Sequence, residues 1–82
     1  MDAIEFMTGS DFEARVRLAA EKLRAGEVVT LRFRFRGREM AHTAIGFDIL
    51  NRAIAGLARA GRAEGEFKLI GRRLSVAVAP FK

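Results

Sequence analysis

Cysteine is absent from the 82-residue sequence, which removes disulfide staples, thiolate metal sites and cysteine nucleophiles together. Tryptophan and tyrosine are also absent, so seven phenylalanines are the whole aromatic complement. The single histidine, His42, makes no metal site by itself and reads as a structural residue of a turn. No apolar run approaches the roughly 20 residues that span a bilayer. The N-terminus carries Asp2 and Glu5 and lacks the positive-then-apolar pattern of a secretory signal. Catalytic patterns are missing as well, with no Ser/His/Asp arrangement, no H-E-x-x-H and no phosphate-cradling glycine loop. Asp11 with Glu13 and Glu64 with Glu66 are carboxylate pairs, but a helix start and a solvated loop account for them. The expectation is a soluble, cytoplasmic, non-enzymatic single domain over residues 1–82. It needs no metal or cofactor, takes no small-molecule substrate and does not enter a membrane.

What remains is charge and periodicity. Half the residues are hydrophobic and 30% are charged, a globular composition, though a chain this short has a thin stability margin. Fifteen cations against ten acids give +5. The excess is unevenly placed, with four cations against six acids in residues 1–29 and eleven against four in residues 30–82. A half so cationic favours polyanions such as RNA, DNA or an acidic surface. An arginine-rich but functionally neutral composition is the competing explanation.

Residues 3–7 (A-I-E-F-M) alternate, predicting a short strand with Ile4 and Phe6 on one face. Ser10 and Glu13 form S-x-x-E, a capping-box pattern. Phe12, Val16, Ala19, Ala20 and Leu23 then recur at helical spacing, and Gly26 stands where a left-handed C-terminal cap belongs. Arg15, Glu21, Lys22 and Arg24 fall on the opposite, solvated face.

The most informative segment follows. Leu31, Phe33 and Phe35 alternate with Arg32, Arg34 and Arg36, so a strand here has one apolar face and one row of guanidiniums. Like charges held in such a row gain most when phosphates lie across them. Gly37 ends the strand in this reading, and Arg38 extends the cationic track into the loop. From Thr43 the period is helical again, with Ile45, Ile49, Leu50, Ala53, Ile54 and Leu57 on an apolar face and Gly61 as the stop. Gly46 lies inside that helix and suggests a close backbone approach. Residues 62–66 (R-A-E-G-E) are too polar and glycine-broken for a central strand and are assigned to a loop or a frayed strand entry. Phe67 and Leu69 alternate with Lys68, Gly71 opens a tight connection, and Leu74, Val76 and Val78 share a face up to Pro80.

The order is β-α-β-α-β-β. It specifies an α/β two-layer sandwich with two helices on one face of a mixed four-stranded sheet. A helix between the first two strands makes them parallel, and the last two form an antiparallel hairpin. Phe33, Phe35 and Phe67 sit at core spacing, so with no tyrosine or tryptophan the open face should contact phosphates and RNA shape rather than stack bases.

The run Leu31–His42, L-R-F-R-F-R-G-R-E-M-A-H, followed by Ile45-Gly46 and Leu50-Asn51-Arg52, closely resembles the C-terminal domain of bacterial translation initiation factor 3. The likeness is strongest over 30–52 and extends from Asp11-Phe12 through Gly26-Glu27 and Gly71-Arg72 to the closing V-A-P. The resemblance implies the same two-layer fold. It also implies a factor that binds 16S-type rRNA of the small ribosomal subunit, hinders premature subunit association and supports selection of initiator tRNA and start codon. A monomer is expected, since nothing in the sequence suggests more. By position, Arg34, Arg36 and Arg38 match the family's RNA-contact regions, with Arg72 in the hairpin and Lys68 before it. Asn51 and Arg52 match the pattern without a separable role. Val28 and Val29 stand where the family usually has lysines. Two alternatives stay open: a generic basic RNA-binding module on the same scaffold, and a structural or engineered scaffold that keeps the fold without ribosome binding.

Overall fold

A computed structural model describes residues 2–7, 11–37 and 41–81. The elements are β1 (Asp2–Phe6), α1 (Phe12–Arg24), β2 (Val29–Arg34), α2 (Ala44–Gly56), β3 (Gly61–Ile70) and β4 (Arg73–Pro80). The four strands form one sheet in the order β1-β2-β4-β3. β1 pairs parallel with β2, and β4 runs antiparallel to both β2 and β3. This is the two-layer α/β arrangement expected from the periodicities.

Strand alternation divides the sheet into two unlike faces. Ile4 and Phe6 from β1, Val29, Leu31 and Phe33 from β2, and Leu74, Val76 and Val78 from β4 are buried in one cluster. Ala19 and Leu23 of α1, Leu50 and Ala53 of α2, and Leu57 just past its end join that cluster from above. Each buried Leu, Ile, Val or Phe side chain contributes about 1.5–3 kcal/mol relative to leaving it exposed. Phe67 packs half-buried at the margin, its ring 5.2 Å from that of Phe47 in an edge-on arrangement.

Helix α1 is capped by Asp11, whose Oδ1 accepts from the Ala14 amide at 3.1 Å. The capping-box position Ser10 lies outside the described residues. At the other end the Gly26 amide donates to the Leu23 carbonyl and the Glu27 amide to that of Lys22, with Gly26 at φ +88°. That pair of bonds is the Schellman motif expected of a left-handed glycine after a helix. Arg15 departs from the solvated reading, being half-buried with its Nε shut off from water and without a hydrogen-bond partner.

Three expectations need correction. Helix α2 stops at Gly56 rather than Gly61, because residues 57–60 tighten into turns in which Ala60 and Gly61 both donate to the Leu57 carbonyl. Gly61 instead opens β3. Residues 62–66 are neither a loop nor a frayed entry but part of the first half of β3, with Arg62, Ala63 and Glu64 paired to β4. β3 is an edge strand with one unpaired side, where charge and glycine are tolerated that a central strand would reject. The glycine shows as an irregularity: between Glu64 and Lys68 four residues of β3 advance against two of β4, with Gly65 at φ +81°. Ile45, finally, is not core but 39% exposed at the start of α2.

Gly46 makes the close approach possible. A Cβ at that position would lie 2.5 Å from Cζ of Phe35 and 3.0 Å from Cδ1 of Phe33. The missing side chain lets α2 settle onto the two phenylalanines that anchor the end of β2.

Candidate nucleic-acid interface

The face opposite the core carries the candidate site residues. Because Leu31, Phe33 and Phe35 are buried beneath the helices, the intervening Arg32 and Arg34 project from the other side of β2, and Arg36 is exposed just beyond it. β2 ends at Arg34 rather than at Gly37, but the pairing does not stop abruptly. The Phe35 amide donates to the Arg72 carbonyl at 2.9 Å, which ties the β3–β4 turn to the outgoing chain.

That turn is built by Gly71 and Arg72 alone, since Ile70 and Arg73 are already paired. Gly71 has φ +61° while Arg72 is not at positive φ, the pattern of a type II′ hairpin with glycine first. A two-residue turn fixes register, and with it the direction of every side chain that follows. Arg73 therefore lies on the same face as Ser75, opposite Leu74.

Cross-strand register sets the open face in rows. Glu5, Arg32, Ser75 and Lys68 form one row across all four strands. Arg34, Arg73 and Ile70 form the next, toward the hairpin end. Arg32, Arg34, Arg72 and Arg73, with Ile70, Gly71 and Ser75, line an open concavity of about 520 Å³. A second, smaller hollow is lined by Met7, Arg34, Phe35, Arg36 and Arg72. Arg34 and Arg72 border both, so the cationic surface is continuous from the strand to the turn. Arg34 faces Arg73 directly, a like-charge pair that destabilises a sheet unless something anionic covers it. Arginine's planar fork of donors matches phosphate oxygens two at a time.

The family model for "Translation initiation factor IF-3, C-terminal domain" matches residues 6–81 of this chain. The chain belongs to that family. Among curated relatives, the translation initiation factor IF-3 of Cereibacter sphaeroides is 39% identical over 94% of this chain and 45% of its own length. The factor of the same name from Pseudomonas putida is 38% identical over 96% of this chain and 45% of its own, and that of Mesorhizobium japonicum 37% over 85% and 39%. The chain thus spans about half the length of the curated relatives it matches or less. The IF-3 family is one of translation factors, not of enzymes.

Within this chain, Arg32, Arg34 and Arg72 converge on one surface and Arg36 extends it. Lys68 shares the open face but borders a separate depression beside Glu64 and Glu66, so it stands apart from the arginine cluster. Arg38 lies outside the described residues. Asn51 and Arg52 are exposed on α2, in the helical layer, with the Arg52 Nε 3.3 Å from Asp48. His42 is exposed in the turn before α2, where its carbonyl accepts from the Ile45 amide. Two members of the cluster escape the sequence reading, Arg73 and Ile70. The signal for Arg73 is present in the sequence, because the alternation that buries Leu74 puts both its neighbours on the open face. Ile70 needs the exact hairpin register. Among the described residues no group of three or more His, Cys, Asp or Glu could hold a metal, and no helix is long and apolar enough to cross a membrane.

Proposed function

We propose that this domain binds rRNA of the small ribosomal subunit through the hairpin end of its open sheet face, and by occupying that site hinders premature subunit association and supports selection of the initiator tRNA and start codon. The observation that carries the reading is the convergence of Arg32, Arg34, Arg72 and Arg73 on one concavity, with Arg34 held against Arg73 and no acidic side chain among the described residues that line it. Such a surface recognises the phosphate backbone and its spacing, and its affinity falls steeply with salt as condensed counterions are released. The relatives' description as translation initiation factors supports the choice of ribosomal RNA as the polyanion. Arg36 continues the track on one side, Lys68 adds a more distant contact, and Arg38, two residues after Arg36 in sequence, is a further candidate contact. The domain acts as a monomer in the cytoplasm, as a single RNA-binding unit.

The test is binding of the purified chain to isolated small and large ribosomal subunits at near-physiological salt. Selective small-subunit binding that slows subunit joining is the expected result. Equal, salt-sensitive binding to both subunits would replace this reading with a generic RNA module. Binding to neither would leave a scaffold that keeps the fold and has lost the function.

A further inference from the structure

Ile70 is 73% exposed, the most exposed of the large hydrophobic side chains among the described residues. A lone apolar residue on a surface is ordinary. This one is not placed at random, because it borders the same concavity as Arg34, Arg72 and Arg73 and shares a cross-strand row with two of them. Its immediate environment is therefore both apolar and strongly cationic. A-form duplex RNA offers phosphates and hydroxyls at its surface while its bases stay stacked inside, so an isoleucine at that contact would cover polar groups without return. An unpaired nucleotide presents the complement, an apolar base face or ribose edge between two phosphates. A hollow of about 520 Å³ lies within the roughly 300–1,000 Å³ range of small-ligand sites.

We propose that this concavity holds one unpaired nucleotide of a looped or single-stranded RNA, with its base or ribose against Ile70 and its flanking phosphates on Arg34 and Arg73. The proposal rests on the RNA-binding reading above and narrows it to a class of RNA. Arginine adds to the site because its guanidinium plane can stack on a base as well as bind phosphate.

Binding of the full chain to two fluorescein-labelled RNAs with equal numbers of phosphates, a stem-loop with an adenine loop and a blunt duplex, tests this at fixed salt. The wild type should favour the stem-loop. Ile70→Ser should weaken stem-loop binding about fivefold and leave the duplex within about twofold, with the salt dependence unchanged because no cation is lost. Ile70→Leu should restore the preference. If Ile70→Ser leaves stem-loop affinity intact, or weakens both RNAs equally, the nucleotide subsite is wrong while RNA binding stands. If the wild type binds neither RNA, the broader reading falls and the subsite with it. Self-association of the wild type that Ile70→Ser abolishes would make Ile70 a protein contact and overturn the proposal.

Discussion

Arg34 and Arg73 are paired across the seam between β2 and β4, on the sheet face left open by both helices. Each is exposed, so water screens the repulsion, but opposed like charges still cost a strand pair a few tenths of a kcal/mol. Under the proposed RNA-binding function, the arrangement places folding and binding in opposition. Replacing either arginine by alanine should leave urea stability unchanged or raise it by up to about 0.5 kcal/mol. The same change should weaken RNA binding severalfold and lower the slope of log affinity against log salt by roughly one. Loss of stability together with unchanged RNA affinity would assign the pair a structural role instead.

Phe35 is positioned by what Gly46 lacks. Alanine in a helix interior is intrinsically favoured over glycine by about 1 kcal/mol. Here its methyl would enter the space of Phe35 and Phe33, which are 2% and 0% exposed and have nowhere to move. Overpacking of this kind costs about 1–3 kcal/mol, so Gly46→Ala should destabilise the domain by about 1–2 kcal/mol in chemical denaturation. Gly56→Ala is the control, because its methyl meets only Cγ1 of the half-buried Val16 at 3.2 Å. That variant should be close to neutral. A stabilised Gly46→Ala would show that the rings give way.

The alternation of Leu31, Phe33 and Phe35 with arginines makes both the core strand and the cationic face legible in the sequence, because a period of two leaves no other arrangement. The helices are equally legible in type. Their ends are less so, since Asp11 and Ser10 are both good caps and only geometry chooses between neighbours. The first half of β3 is illegible for a physical reason. An edge strand is held by backbone bonds to one partner, and its side chains need not alternate. Position in the sheet, which no local pattern encodes, decides whether residues 62–66 can be a strand. The cluster at Arg34, Arg72 and Arg73 is half visible, because it depends on the two-residue register that brings β4 back beside β2.

Asp11 holds the first turn of α1 through one charge-assisted bond to the Ala14 amide. The helix dipole and the free amides of that turn both favour a carboxylate there. Asp11→Ala should cost about 1 kcal/mol, read as a shift of the denaturation midpoint with unchanged slope. Asp11→Asn keeps the accepting oxygen and should recover most of the loss. Equal losses in the two variants would mean that the charge, not the hydrogen bond, is what stabilises the turn.

Under the proposed function, Gly71 would link stability to binding without carrying any charge. Its φ of +61° is a conformation that L side chains avoid, while no atom lies within 4 Å of where a Cβ would sit. The cost of Gly71→Ala is therefore conformational alone, about 1–2 kcal/mol, and Gly71→Asn should cost less because asparagine tolerates left-handed backbone. If the turn relaxes to avoid the strain, the Arg72 carbonyl leaves the Phe35 amide and the arginines of the hairpin lose their fixed spacing from Arg34. RNA affinity should then fall in the order wild type, Asn, Ala, although net charge is the same in all three. Hydrogen exchange at the Phe35 amide should quicken in that order too. Affinity that stays constant while this exchange accelerates would show that the turn positions nothing the RNA needs.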